Sequence, residues 1–148
     1  MKSSLDRTNW NNVKTGAAVI VPNNKRLVLF GKRVGPHGAG TWGFPGGTEK
    51  KYETGSMCAL REAEEEIGLC IELVSKYPID FTLDDFGNGL TYLTLYYRAK
   101  PILEKPRVME PMKMSEWGFF PWNNPPQPLF LPIKNLVEKG HNPFARLT

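Results

Sequence analysis

The stretch Arg61-Glu62-Ala63-Glu64-Glu65-Glu66-Ile67-Gly68 constrains this chain more than any other. At about 100° per residue, Glu62, Glu65 and Glu66 fall within an arc of roughly 100° on one face of a helix. Ala59, Leu60, Ala63 and Ile67 gather on another face. Such a helix packs one side into a core and concentrates negative charge on the other. The pattern predicts a helix over Gly55 to Ile67, with Thr54 as its N-cap and Gly68 ending it in a left-handed conformation.

The charge has a cost, because like charges at i,i+4 spacing, as in Glu62 and Glu66, repel by a few tenths of a kcal/mol. Two readings follow from the bare run of glutamates. One is a solvated acidic face with Arg61 as a helper. The other is a site for a hard divalent cation, Mg²⁺ or Mn²⁺, which takes carboxylate oxygens as ligands and keeps positions for water and substrate phosphates. The surroundings favour the second: Gly47, then Glu53 six positions on, then Arg61-Glu62 eight positions later, then Glu65-Glu66 and Gly68-Leu69.

Around this segment the chain alternates strands and helices irregularly, which points to an α/β sandwich. Thr15 to Val21 reads as a buried strand, turned by Pro22-Asn23-Asn24 into a second strand, Arg26 to Arg33, as a hairpin. Val34 to Gly40 is a glycine-rich loop, and Thr41 to Pro45 a short aromatic strand leading into Gly46-Gly47. Cys70 to Phe81 and Leu90 to Ala99 read as a strand pair joined by a turn over Asp84 to Gly89. Glu116 to Pro121 reads as a further strand, and Pro132 to Lys139 as a short helix closed by Gly140.

A length of 148 residues suits one domain, residues 1–148, with no repeat or linker dividing it. Met1 to Asn12 is polar and lacks a signal-peptide core, and no apolar run is long enough to span a bilayer, so the expected location is cytoplasmic, with no membrane partner. Cys58 and Cys70 form no metal-type pair and are expected as small buried hydrophobes. The net charge of +4 favours anionic partners. Its basic residues are scattered, which speaks for a small phosphorylated molecule over nucleic acid. Lys32 and Arg33, at a strand end, are the cations best placed to meet phosphates, with a solvent-facing pair as the alternative. His37 and His141 are too few and too scattered for a metal site.

From Gly47 to Leu69 the chain reads GTEKKYETGSMCALREAEEEIGL, and this resembles the Nudix hydrolase signature G-x5-E-x7-R-E-U-x-E-E-x-G-U, where U is apolar. Ala63 is a small occupant of the first apolar slot. The resemblance implies a mixed β-sheet between helices, an α/β/α sandwich. It also implies that Glu62, Glu65 and Glu66 bind metal and activate water, that Arg61 orients them, that Glu53 is a supporting acid, and that Gly46 adds a backbone carbonyl to the metal. LFGKR (29–33), GAGTWGFPGG (38–47), EPMKMSEWGFFPW (110–122) and PLFLPIKNLVEKGHNPF (128–144) resemble the MutT-like branch that acts on nucleoside triphosphates.

In that branch the aromatics matching Phe44 and Phe130 line the substrate pocket, although such residues are as a rule core. Two positions depart from the pattern: Thr48 stands where relatives carry His beside the substrate, and Met112 where many carry a second acid. That leaves Glu110 as the distal metal or base carboxylate, with Asp84, Asp85 and Glu116 as alternatives. The implied reaction is metal-dependent hydrolysis of a nucleoside triphosphate to a monophosphate and pyrophosphate. ADP-ribose, dinucleoside polyphosphates, capped RNA, isoprenyl diphosphates or a non-catalytic nucleotide-binding role are the alternatives. Relatives are often dimers, and strand edges near the N-terminus are where copies of this chain would pair.

Overall fold

Strand β1 (Val13–Ile20) organises the molecule because both of its faces are covered. Ala17 and Val19, with Val21 just beyond, point to one layer, and Ala18 and Ile20 to the other, the two-residue period of an extended chain. The computed structural model describes residues 12–145, so the polar N-terminal segment read from the sequence lies almost wholly outside the described residues. The further elements are β2 (Val28–Arg33), β3 (Trp42–Gly43), β4 (Gly46–Thr48), α1 (Gly55–Ile67), β5 (Asp80–Asp85), β6 (Thr91–Arg98), β7 (Met114–Phe120) and α2 (Leu131–Glu138).

A four-stranded sheet runs in the order β4-β1-β6-β5, and a three-stranded sheet in the order β3-β2-β7. The first is mixed: β1 lies parallel to β6 along its whole length, from Val13 opposite Thr91 to Ile20 opposite Arg98. Its pairings with β4, and of β5 with β6, are antiparallel. Helix α1 buries Cys58, Ala59, Ala63 and Ile67 against Ala17, Val19 and Tyr97, while α2 buries Ile133 and Leu136 against Ile20, Phe30 and Tyr96. The expected α/β/α sandwich is therefore present. Among the described residues no helix is long and apolar enough to cross a membrane.

Helix α1 has the predicted bounds. Thr54 Oγ1 accepts from the Met57 amide at 3.2 Å, and Gly68 sits at φ 74°. Leu60 departs from the predicted apolar face and is 38% exposed, because the face against the sheet is shared by Glu62 and Glu66 instead.

Other expectations are corrected. The β1–β2 hairpin is confined to its turn: Leu29 N donates to Val21 O and Pro22 bridges Val28, after which the strands part into different sheets. Pro22 has no N–H to carry the ladder further. The strand expected over Cys70 to Phe81 begins only at Asp80. Leu73 bridges Ala99, the chain then swings away through Ser75 to Pro78, and Pro78 again offers no donor. Asp84 and Asp85 belong to β5 rather than to the turn. Cys58 is buried as expected, but Cys70 is exposed, since it follows the end of α1. Among the described residues β1 lies between β4 and β6, with β4 pairing only Gly16 to Ala18, and β2 lies between β3 and β7.

Candidate active site

Helix α1 stands with its acidic flank against β4, where the glycine pair lets the two approach. A side-chain carbon at Gly46 would lie 2.5 Å from Ala17 O, and one at Gly47 would collide with the Glu62 carboxylate. Only glycine leaves room at both positions. Cys58 Sγ, from the same helix, donates to Gly47 O at 3.4 Å.

Arg61 ties the acidic groups together. Its Nε donates to Glu53 Oε2 at 2.7 Å and its Nη2 to Glu53 Oε1 at 2.9 Å and to Thr48 O at 3.2 Å. Nη1 donates to Glu62 Oε1 at 2.9 Å and Glu65 Oε2 at 3.1 Å. The two-pronged contact holds the Glu53 carboxyl down at about 2, helped by the Lys50 amide at 3.0 Å. Glu53 thus orients the arginine and does not itself face the cavity.

Glu66 is different in kind. It is 5% exposed, and its Oε2 is buried without a hydrogen-bond partner. Burial, then the neighbouring Glu62 and Glu110 carboxylates, push its pKa well above the usual range. Glu110 also has a buried oxygen without a partner, Oε1, while its Oε2 lies 3.4 Å from Lys113 Nζ. Among the described residues no three acidic, histidine or cysteine side chains are already gathered as a metal cage, because Arg61 holds Glu62 and Glu65. The donor set still fits a hard cation. Two buried carboxylate oxygens without a hydrogen-bond partner, one on Glu66 and one on Glu110, beside the Glu62 carboxylate are oxygen donors of the kind a hard cation takes.

Two cavities meet at this point. One is lined by Glu62, Glu65, Glu66, Arg61, Lys50 and Lys113. The other is lined by Phe44, Phe86, Tyr92, Tyr96, Phe130 and Ile133. Arg33, His37, Gly46, Gly47 and Thr48 line both. Of the residues expected to touch substrate, Arg33, Phe44, Thr48 and Phe130 are brought together here. The Arg33 guanidinium carbon lies over the Phe130 ring, 3.9 Å from its centroid, and Thr48 Oγ1 is 3.1 Å from Tyr92 OH. Phe44 is 4% exposed and packs on Phe30, with centroids 5.3 Å apart, so it is at once core and cavity wall.

Lys32 is not brought to the site. It is exposed on the other side of β2, opposite Trp42 and Glu116, and lines neither cavity. Adjacent strand residues point to opposite faces, and the bulge between Lys32 and Arg33 turns only the arginine inward. The alternatives to Glu110 also lie elsewhere. Glu116 is exposed opposite Lys32, Asp85 caps the Gly87 amide at 2.8 Å, and Asp84 is buried between Thr82 and Asn135.

The sequence reading missed His37, Lys113, Phe86 and Tyr92. Lys113 had a legible signal, its i,i+3 spacing from Glu110. His37 had only its place in the loop after Arg33.

Comparison with known proteins accords with this geometry. A NUDIX domain family model matches residues 13–139. A candidate 8-oxo-dGTP diphosphatase of Mycobacterium tuberculosis H37Rv is 50% identical over 87 residues, 56% of this chain and 40% of that protein. An RNA pyrophosphohydrolase of Psychromonas ingrahamii is 39% identical over 56 residues, 38% of this chain and 29% of that protein. The chain spans less than half the length of these curated relatives.

Among solved structures, a MutT NUDIX hydrolase from Burkholderia pseudomallei superposes with a TM-score of 0.75 at 29% identity, covering 85% of this chain and 96% of that one. A MutT protein from Methanosarcina mazei Go1 shares the fold, with a TM-score of 0.71 at 14% identity over 88% of this chain and 96% of its own. Since the family match runs from the start of β1 to the end of α2 and encloses the whole acidic loop-helix-loop, the chain belongs to the NUDIX family.

Proposed function

We propose that this chain is a pyrophosphohydrolase that uses Mg²⁺ or Mn²⁺ to cleave a nucleoside triphosphate into a monophosphate and pyrophosphate. The observation that carries the reading is the joining of an acidic cavity to an aromatic one through Arg33 and the Gly46-Gly47 strand. Glu62, Glu65, Glu66 and Glu110, with the Gly46 carbonyl, would hold the cation. When bound, such an ion neutralises charge on the phosphate oxygens and lowers the pKa of water.

The side chains divide the remaining work. Arg61, locked by Glu53, fixes the directions of Glu62 and Glu65. Arg33, with Lys50 and Lys113 on the rim, meets the negative phosphate chain. Phe130 and Phe44 wall the cavity for the base, with Thr48 and Tyr92 supplying polar edges. Water attacks one of the two phosphorus atoms that flank the α–β bridging oxygen, the bond from that phosphorus to the bridging oxygen breaks, monophosphate and pyrophosphate separate, and a carboxylate of the cluster takes the water's proton. Similarity to the candidate 8-oxo-dGTP diphosphatase supports an oxidised or otherwise non-standard deoxynucleotide as substrate.

The test is a panel of nucleoside triphosphates, ADP-ribose, dinucleoside polyphosphates, isoprenyl diphosphates and capped RNA with Mg²⁺, following inorganic phosphate after added pyrophosphatase. A nucleoside triphosphate is expected as the preferred substrate. Glu65→Gln and Glu66→Gln are each expected to reduce turnover by orders of magnitude while circular dichroism stays unchanged. Near-normal activity in both variants would reject the assigned roles.

A further inference from the structure

We infer that His37 is a specificity-determining residue: its ring, held against Phe86 at the waist between the two cavities, is the wall on which a substrate's planar base stacks. The inference rests on the proposed function and goes beyond it by naming what selects an aromatic head group.

The geometry begins with the loop. Arg33 Nε donates to His37 O at 3.1 Å, and the Arg33 guanidinium itself lies over the Phe130 ring, so the loop carrying His37 is fastened to the phosphate-facing cation. The His37 ring lies 4.5 Å from the Phe86 ring and 5.5 Å from that of Phe130, which it meets edge-on at 87°. Phe86 and Phe130 are 5.7 Å apart. Two rings clasping a third between them need roughly 7 to 8 Å, twice a carbon–carbon contact distance. No base fits between Phe86 and Phe130 as they stand, whereas the His37 ring beside them is exposed and lines both cavities.

Burial and the Arg33 cation beside it push the His37 pKa below its ordinary value. Both effects disfavour the imidazolium, which suits the ring to the part of an aromatic face rather than a further phosphate cation. The nearby edges are polar, with Thr48 Oγ1 and Tyr92 OH in contact and Thr94 on the wall. That combination suits a flat, polar-edged heterocycle. An aliphatic tail would strip water from those hydroxyls and give nothing back.

The experiment compares wild type, His37→Ala and His37→Phe on the best nucleoside triphosphate and on isoprenyl diphosphate, with melting curves to verify folding. Stacking of a base on an aromatic side chain contributes on the scale of a tenfold or greater change in affinity. His37→Ala is expected to raise KM for the nucleotide about tenfold with kcat within about twofold. His37→Phe is expected to restore KM. Phe86→Ala, which removes the support behind the imidazole, is expected to mimic His37→Ala. A nucleotide KM that stays put in His37→Ala overturns the inference while leaving the proposed function standing. A wild type that hydrolyses isoprenyl diphosphate and no nucleotide overturns both.

Discussion

Arg61 shows why a single side chain can decide the geometry of a site. Its planar fork engages Glu53 with Nε and Nη2 and still spends Nη1 on Glu62 and Glu65, which a lysine's point charge cannot reproduce. The price of this order is borne at low pH. Glu53 titrates at about 2 in the folded chain against an ordinary value of 4.5. A depressed carboxylate contributes its stability in full above the unfolded pKa and loses it as pH falls through the folded one. Urea denaturation between pH 5 and about 2 is therefore expected to show stability draining away in wild type. Glu53→Gln should be less stable at neutral pH and flatter across that window, and an unchanged slope would remove Glu53 from the role of anchor. The three helix glutamates were legible because helical spacing puts them on one face, and Arg61 and Glu53 through the resemblance to the Nudix signature. The inward turn of Arg33, the exclusion of Lys32 and the recruitment of His37 were not. Each depends on a bulge or on a ring from the distant β5–β6 hairpin.

The helix is the element in which local and distant requirements meet. Its ends were legible from Thr54 and Gly68, since capping is chemistry between near neighbours. The stretch after it was misread as a strand, because alternation alone does not register that Pro78 lacks a donor. What the helix terminus does next is tertiary: Arg107 N donates to Ile67 O at 2.9 Å, Met109 N to Glu66 O at 3.3 Å, and Arg107 Nη2 to Gly68 O at 3.0 Å. These bonds satisfy carbonyls that a helix end leaves orphaned and bring Glu110 beside Glu66. Gly68→Ala would place a Cβ at positive φ and 2.8 Å from the Arg107 guanidinium. It is expected to cost about 1–2 kcal/mol by chemical denaturation and to lower turnover as the Glu110 segment shifts. Thr54→Ala, at the opposite end, is expected to cost about 1 kcal/mol with turnover retained. Equal turnover in the two variants would show that the strap does not position Glu110.

At the scale of the whole molecule, two sheets and two helices converge to bury carboxylates that repel one another. The layers follow from alternation in β1 and the stripe on α1, and were legible; the division into two sheets was not, because Pro22 ends a pairing that the turn residues invite. The fold consequently carries a local instability at Glu66, whose buried, unpartnered oxygen belongs to a carboxyl set against those of Glu62 and Glu110. A ligand that binds only the folded state stabilises it by about 2.7 kcal/mol at a hundredfold excess over its Kd, equivalent to several degrees in Tm for a chain of this size. Mg²⁺ or Mn²⁺, without nucleotide, is thus expected to raise the melting temperature of wild type. Glu66→Gln is expected to melt higher than wild type in chelator, since it removes a buried carboxyl that ionises only against burial and the Glu62 and Glu110 carboxylates, and to gain less when the cation is added. The crossing of those two effects separates a cation site from a merely destabilising glutamate. A variant that melts higher yet responds to the cation as wild type does would mean that the ion is held elsewhere, and that Glu66 is strained for some other reason.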